Sequence, residues 1–312
     1  MTTPTPDRVS AGGLAYAFGA YLLWGALPVL FYLVRQSGAI EIVAWRIVLS
    51  LVFCALLITL SRGWGRLISL VKDRSAVITL TAAALLILVN WVVYVFASTS
   101  GHVVEASLGY FTNPIVTVLL GVLVLHERLR PLQWIAVGTS AIAVAVIAIG
   151  YGSFPWIALL LATSFGLYGL VKKKIGPRAD ALSGLAVETA VLTPAAIVAL
   201  AVIAGTSGLS AVEFGTGHAL LIASLGVTTA VPLLLFASAA RRLPLVYLGL
   251  VQYLAPVLQL IVGVVLLGEA MPPERWLGFG IVWLALIVLT VDMFIHAKRT
   301  AGAVPVTAAG AP

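Results

Sequence analysis

Long apolar runs, joined by short polar connections, make up most of this chain. Each run has about 20 residues, the length that an α-helix needs to cross ~30 Å of hydrocarbon. The pattern predicts an all-α polytopic membrane protein with ten transmembrane helices. The predicted spans lie at about 12–34, 40–61, 76–97, 104–125, 132–150, 154–171, 181–204, 217–238, 244–267 and 275–295.

The second half of the chain repeats the first. Pro114 and Glu127 recur, after a shift of 142 positions, as Pro256 and Glu269. A duplicated unit with an odd number of spans sits in the membrane in two opposite orientations, which is the usual architecture of a secondary transporter. We therefore expect a cytoplasmic tail at 1–11, a five-helix repeat at 12–150, an inverted five-helix repeat at 154–295 and a cytoplasmic tail at 296–312.

Composition and charge place the chain in a lipid bilayer. Hydrophobic residues make up 62% of the sequence and charged residues 9%, whereas a soluble domain is about 25% charged. With the N-terminus inside, Arg35 and Arg275 are the only basic residues predicted to lie outside, and Arg46 falls within a span. This bias predicts that both termini are cytoplasmic. The net charge of +7 therefore reflects topology, and we expect no nucleic-acid partner.

Charge within a predicted span is the sharpest functional signal. Arg46 lies in the second span and Glu188 in the seventh. Such residues are costly in hydrocarbon and normally face a bundle interior or a water-filled path. Glu105, at the outer start of the fourth span, is the partner expected for Arg46. Two interpretations stay open: ion pairs that lock the packing, or residues that line the path of a solute or a proton.

Prolines within the predicted spans are the second signal. Pro28, Pro114, Pro232 and Pro256 each remove one helical hydrogen bond and free a carbonyl one turn earlier. Pro28, for example, frees the carbonyl of Trp24. A freed carbonyl is tolerated in a membrane only where protein or water satisfies it again. These kinks are candidate gates or walls of a site, or they serve packing alone.

Polar and aromatic residues inside the apolar runs form the third signal. Small-solute pockets are mostly apolar and aromatic, with a few placed polar groups. Each residue alone is equally consistent with an interhelical hydrogen bond. The residues expected to line a central cavity are Trp24, Arg46, Asn90, Trp91, Tyr94, Tyr110, Asn113, Tyr168, Gln252 and Tyr253.

Motifs for catalysis and for cofactor binding are absent from the sequence. It has no HExxH, GxSxG or phosphate-binding loop, its four histidines lack ligand spacing, and it has one cysteine. We expect no enzyme activity, no catalytic residues, no cofactor and no metal. Without an ATP-binding domain, transport would depend on a gradient.

Several motifs resemble those of one family. They are Trp24-Gly25 with Pro28; Arg46; Asn90-Trp91; Glu105-Ala106-Ser107-Leu108-Gly109-Tyr110-Phe111; Asn113-Pro114; Glu127-Arg128-Leu129; Gln133-Trp134; Ser164-Phe165-Gly166-Leu167-Tyr168-Gly169; Glu188-Thr189; Pro232-Leu233; Gln252-Tyr253 with Pro256; and Ile281-Val282-Trp283. On these motifs the chain resembles RarD-like transporters of the EamA family, in the drug/metabolite transporter (DMT) superfamily, over nearly its whole length. His126, where the resemblance implies an apolar or aromatic residue, is a departure.

This resemblance implies a ten-helix plasma-membrane permease of inverted five-helix repeats that exports or exchanges small organic solutes, such as amino-acid-like metabolites or drugs. We therefore expect a transporter of the bacterial inner membrane that works by alternating access. Arg46 would hold an anionic group of the solute, and Glu188 is the candidate for coupling to a proton, because low dielectric favours the protonated carboxyl group. Two alternatives remain, a channel or facilitated-diffusion pore, and a membrane-embedded sensor. A monomer and a homodimer are both compatible, since one chain contains both repeats.

Overall fold

The computed structural model describes residues 11–125, 131–151, 154–176, 178–240, 242 and 251–302, and each predicted span is mostly helical over its described residues. The α-helices are α1 (Ala11–Leu33), α2 (Gly38–Leu60), α3 (Trp64–Lys72), α4 (Arg74–Thr99), α5 (Val103–Leu125), α6 (Pro131–Tyr151), α7 (Trp156–Ile175), α8 (Ala181–Thr206), α9 (Ser210–Glu213), α10 (Gly215–Ala240), α11 (Leu254–Ile261) and α12 (Pro273–Gly302). A 3₁₀ turn joins α1 to α2, and a π-helical turn extends α11 through Leu266. These ranges contain no β-strand.

Six of the described helices are long and apolar enough to cross a membrane. They run over Ala11–Leu33, Arg35–Leu60, Arg74–Thr99, Ala181–Thr206, Gly215–Phe236 and Pro273–Asp292. Shorter apolar helices lie at Trp134–Ala143, Trp156–Lys172 and Leu254–Leu266. The protein is therefore an all-helical, multi-pass membrane protein.

The chain divides into two compact units. One contains residues up to Leu120 together with Pro155–Met271, and the other contains Gly121–Phe154 with the chain from Pro272 onward. In the first unit α2 packs against α8 and α10, α1 against α10 and α11, and α4 against α7 and α8. In the second unit α6 packs against α12.

The structure differs from the sequence-based expectation at three places. Helix α3 occupies a segment expected to be a loop, and it exposes Trp64, Ile68 and Val71, as an amphipathic helix at a membrane surface does. The predicted ninth span is not one continuous helix where it is described, because a turn at Tyr253 interrupts it. Helix α12 continues to Gly302, so the segment predicted as a C-terminal tail starts as helix.

A buried polar cluster ties the α1–α2 turn to α9 and α10. One carboxylate oxygen of Glu41 accepts hydrogen bonds from the backbone N–H and the hydroxyl of Ser210, at 3.0 and 2.8 Å. The Ser37 hydroxyl lies 2.6 Å from the Ser210 hydroxyl and 2.8 Å from Nε2 of His218. These groups satisfy one another, which removes the penalty for burying them singly.

Glu269 caps α5 from a distant part of the chain. Its two carboxylate oxygens accept hydrogen bonds from the backbone N–H groups of Val103 and Val104, at 2.6 and 2.8 Å. These N–H groups lack partners inside the helix, and the positive end of the helix dipole favours a carboxylate. Glu269 therefore fixes the segment after α11 to the start of α5.

We predict that Glu269→Ala lowers the free energy of unfolding by about 1–2 kcal/mol, because two helix-terminal N–H groups lose their acceptors. Glu269→Gln keeps an amide oxygen and should give an intermediate loss. Thermal unfolding in detergent measures both, with Glu274→Ala, at an exposed position in the first turn of α12, as the matched control. Equal melting temperatures for Glu269→Ala and the control would contradict the capping role.

Helices α2 and α10 approach each other closely at Gly226. A Cβ atom there would lie 2.6 Å from the carbonyl oxygen of Leu49, so the contact is made by backbone that has no room to yield. Gly169, on α7, is also within a helix but has nothing within 4 Å of an added Cβ. Small residues at such contacts are the usual means of close helix packing in membranes.

We predict opposite effects of alanine at these two glycines. Gly226→Ala should lower the melting temperature clearly, because α2 and α10 must separate to admit the methyl group. Gly169→Ala should be neutral or stabilising by up to about 1 kcal/mol, because alanine favours a helix. A Gly226→Ala protein as stable as Gly169→Ala would contradict the close contact.

Candidate functional site

A cavity lies within the first unit. Its wall comes from α1, α2, α4 and α5 in the first half of the chain and from α7, α10 and α11 with the residues before it in the second half. The described lining residues are Tyr21, Trp24, Leu27, Arg46, Ile87, Asn90, Trp91, Tyr94, Tyr110, Phe165, Leu233, Gln252, Ala255, Pro256 and Gln259.

Arg46 is the cationic group of this wall, and it is 3% exposed. Its Nε donates a 2.7 Å hydrogen bond to the Thr229 hydroxyl. The guanidinium lies over the ring of Trp91, 4.4 Å from its centroid, and 5.5 Å from that of Phe31. Its Nη1 has no hydrogen-bond partner among the described residues. The aromatic faces stabilise the cation, but one of its donors is unused.

In this structure the hydrogen bond of the Arg46 guanidinium goes to Thr229, and the pairing of Arg46 with Glu105 stays a prediction. Glu105 lies in the first turn of α5, outside the described lining of the cavity. Thr229 was not singled out from the sequence, because a threonine inside an apolar run gives no signal of its own.

Asn90 holds three helices together beside the cavity. Its amide nitrogen donates to the carbonyl of Leu161 and to the hydroxyl of Ser164, each at 3.2 Å. Its amide oxygen accepts a 3.0 Å hydrogen bond from the hydroxyl of Tyr110. The side chain is 2% exposed, so these bonds are needed to offset its burial. Asn90 thus fixes α4, α5 and α7 and orients Tyr110 towards the site.

Aromatic rings continue from the arginine across the bundle. Neighbouring rings in the series Phe31, Tyr94, Tyr110, Phe165 and Tyr168 have centroids 5.4–6.0 Å apart. Contacts in this range are favourable and resist displacement. Three rings of this series, those of Tyr94, Tyr110 and Phe165, line the cavity.

The carbonyl freed by Pro28 finds a partner on the opposite wall. Nε2 of Gln259 donates a hydrogen bond of 3.3 Å to the backbone oxygen of Trp24. Nearby, the hydroxyl of Ser107 donates one of 2.8 Å to the backbone oxygen of Pro256. Side chains therefore join α11 to α1 and to α5, and they give these backbone carbonyls the partners that a bilayer does not supply.

Glu188 lies outside the cavity lining, in a separate ion pair. One oxygen of Glu188 is 2.6 Å from Nζ of Lys172, and the other accepts a 3.1 Å hydrogen bond from the hydroxyl of Tyr168. Glu188 is 1% exposed. Lys172 was expected in a cytoplasmic loop, but it lies on α7, where Tyr168 and Lys172 are one turn apart and face Glu188 together.

The remaining predicted site residues are spread around the cavity. Asn113 is buried on α5 and Tyr253 forms the turn before α11, and neither belongs to the described lining. Pro28 and Pro232 lie inside α1 and α10, and the backbone of α5 continues through Pro114. Pro256, in contrast, lies in the first turn of α11, where proline is tolerated.

Some lining residues carry no distinguishing signal in the sequence. Tyr21 and Phe165 resemble core aromatics, and Gln259 sits in an apolar run with no motif around it. For Gln259 the signal was indirect, because the carbonyl freed by Pro28 required a donor from elsewhere. Among the described residues, no group of three His, Cys, Asp or Glu side chains could hold a metal ion.

Comparison with known proteins identifies the family. The model of the EamA-like transporter family matches residues 11–149 and again 154–291. The chain belongs to the EamA-like transporter family. It is 49% identical to Protein RarD of Streptomyces exfoliatus, with 92% of this chain and 91% of the relative covered. It is 42% identical to an uncharacterized transporter of Pseudomonas aeruginosa (92% and 96% covered) and 38% identical to Protein RarD of Escherichia coli (92% and 97% covered).

A solved crystal structure shares the fold of this EamA-family chain. Its TM-score is 0.59 at 20% sequence identity, and the match covers 97% of this chain and all of the other. The family and these relatives make the protein a RarD-like membrane transporter rather than an enzyme, as the resemblance of its motifs predicts.

We predict that Lys172→Met lowers the free energy of unfolding by about 2 kcal/mol, since it leaves the carboxylate of Glu188 buried without its cation. The double variant Lys172→Met/Glu188→Gln should recover most of the loss, because the buried charge is gone. Detergent unfolding of the double-mutant cycle measures this, with Lys174→Met, at an exposed position on α7, as control. Additive effects of the two single changes would contradict a coupled pair.

Proposed function

We propose that this EamA-family protein is a secondary active transporter that moves small organic solutes across the bacterial inner membrane by alternating access, with both termini in the cytoplasm. The observation that carries the proposal is the cavity, which holds a buried arginine with an unused donor among aromatic rings. Helices from both halves of the chain form its wall. A site between two halves is where transporters of this kind bind their solute.

The contacts between helices support ten spans in two inverted five-helix repeats, at 12–150 and 154–295. Helix α1 packs against α10, and the equivalent pair in the other half, α7 and α4, also packs together. Helix α2 packs against its own equivalent, α8, and α6 against α12. A contact pattern that is unchanged when the halves are exchanged is expected of a pseudo-two-fold axis. The two matches of one family model support the same division.

Two close contacts at glycine residues repeat this symmetry. A Cβ atom on Gly25 of α1 would lie 2.6 Å from the side chain of Leu258, and one on Gly166 of α7 would lie 3.1 Å from that of Val116. Leu258 and Val116 are equivalent under the same 142-residue shift that relates Pro256 to Pro114, and this shift takes Gly25 to position 167, next to Gly166. In each half, therefore, a glycine on the first helix allows a close contact with a helix of the other half: α1 with α11, and α7 with α5.

In this proposal Arg46 binds an anionic group of the solute through its unused Nη1. The rings of Trp24, Trp91, Tyr94 and Tyr110 contact its apolar body, while Gln252 offers an amide to its polar groups. Bound solute would replace the missing partner of the guanidinium, which removes the penalty of an unsatisfied buried donor.

Glu188 is the residue we propose for coupling to a proton. Its carboxylate is almost fully buried and its charge is balanced by Lys172. A proton bound by Glu188 would cancel that balance and release Lys172, so protonation and the packing of α7 against its neighbours would be linked. The aromatic series that ends at Tyr168 joins this pair to the cavity.

Uptake into proteoliposomes under an imposed pH gradient tests the proposal. We predict saturable uptake of a small organic acid, an amino acid or chloramphenicol that is driven by the gradient in the unchanged protein. Glu188→Gln should abolish the response to the gradient but leave exchange at equal pH, whereas Glu274→Gln, at an exposed position, should behave like the unchanged protein. Flux that rises without saturation would contradict a carrier and indicate a pore, and gradient-driven uptake by Glu188→Gln would remove the coupling role.

A further inference from the structure

The described side chains of the cavity wall carry positive charge but no negative charge. Arg46 lines the cavity, but no acidic side chain belongs to its described lining. Nine of the eleven acidic residues of the sequence lie in the described part of the chain, and all nine are placed elsewhere. The wall therefore offers a solute a positive charge without a matching negative one.

The buried carboxylates of Glu188 and Glu41 could balance an ammonium group by their charge, but both already have hydrogen-bond partners elsewhere. Both oxygens of Glu188 bind Lys172 and Tyr168. Glu41 accepts its hydrogen bonds from Ser210 and from the indole of Trp45. Neither carboxylate belongs to the cavity lining, so an ammonium group in the cavity would find no negative charge to balance it.

From this arrangement we infer that the cavity selects organic anions that carry an aromatic or similarly flat apolar body and lack an ammonium group. The inference rests on the proposed function and narrows its solute class, away from zwitterionic amino acids and from cationic drugs. An anion supplies the missing partner of Arg46, whereas an ammonium group close to it is repelled in a medium of low dielectric.

Two features of the wall have some affinity for an ammonium group. The first is the set of aromatic faces, but that of Trp91 is turned to the guanidinium of Arg46, and a cation over any other ring would share the cavity with that arginine and with no acidic side chain of the described lining. The second is the amide oxygen of Gln259, which has no hydrogen-bond partner among the described residues. It is neutral, and one neutral acceptor does not balance a cation beside an arginine.

Four phenyl compounds of one size test the inference. They are 3-phenylpropionate (an anion), phenylalanine (the same acid with an α-ammonium group), 3-phenylpropylamine (a cation) and 3-phenylpropanol (neutral). Binding to the full-length protein in lipid nanodiscs is measured by calorimetry. We predict that 3-phenylpropionate binds about tenfold or more tightly than each of the others. The alcohol and the amine lack the carboxylate that accepts a charge-assisted hydrogen bond from Arg46, and phenylalanine adds an ammonium group that no acidic side chain of the described lining balances.

The Arg46→Gln variant should lose this preference, with 3-phenylpropionate bound about tenfold more weakly and 3-phenylpropanol nearly unchanged. Arg35→Gln is the matched control, since Arg35 is exposed and lies outside the described lining. If Arg46→Gln does not fold, as judged by gel filtration, the comparison of the four compounds on the unchanged protein decides the matter alone.

Different outcomes separate this inference from the proposed function. Tighter binding of phenylalanine or 3-phenylpropylamine, a preference that survives Arg46→Gln, or no detectable binding of 3-phenylpropionate would each overturn the anion selectivity. In each of these three cases, gradient-driven uptake of some other solute would still support the proposed transport function. Chloride that competes with 3-phenylpropionate and binds at least as tightly would show an inorganic anion site and would also overturn the inference.

Discussion

A guanidinium held in the interior of a helical bundle is the constraint on which the rest of this site depends. Arg46 keeps its charge in hydrocarbon only because Thr229 accepts one of its hydrogen bonds and the ring of Trp91 covers it. These contacts fix α2 against α10 and α4. They leave Nη1 without a partner, so the same arrangement that tolerates the charge prepares it for a ligand.

On the side of the cavity formed by α1 and α11, the need to pair backbone polar groups determines which side chains are present. Pro28 interrupts the hydrogen bonding of α1, and Gln259 on α11 supplies the donor that the carbonyl of Trp24 then needs. At the far end, Glu269 fixes the segment after α11 to the start of α5. Side chains of α11 and of the segment after it therefore connect α1 and α5 beside the cavity. Such linked, discontinuous helices are typical of transporters that open to alternate sides.

The sequence predicted the helices well, because apolar length follows directly from the thickness of the bilayer. It also predicted Arg46, Asn90 and Trp91 as neighbours of one cavity, since charge and amide groups are rare in apolar runs. It failed where a side chain's role depends on which helix it meets. Lys172 has the sequence environment of a loop lysine, and only the packing of α7 beside α8 reveals Glu188 as its partner. The turn at Tyr253 was also not predicted, because the residues around it form one apolar run without a residue pattern that indicates a turn.

A structure of the protein with an organic anion bound, in nanodiscs and at a resolution that shows side chains, tests the central claim most directly. The account predicts density for the anion inside the cavity, with its carboxylate about 3 Å from Nη1 of Arg46 and its apolar body against the aromatic wall. Density for the bound anion at any other place on the protein, with the guanidinium of Arg46 unchanged and the cavity empty, would contradict it.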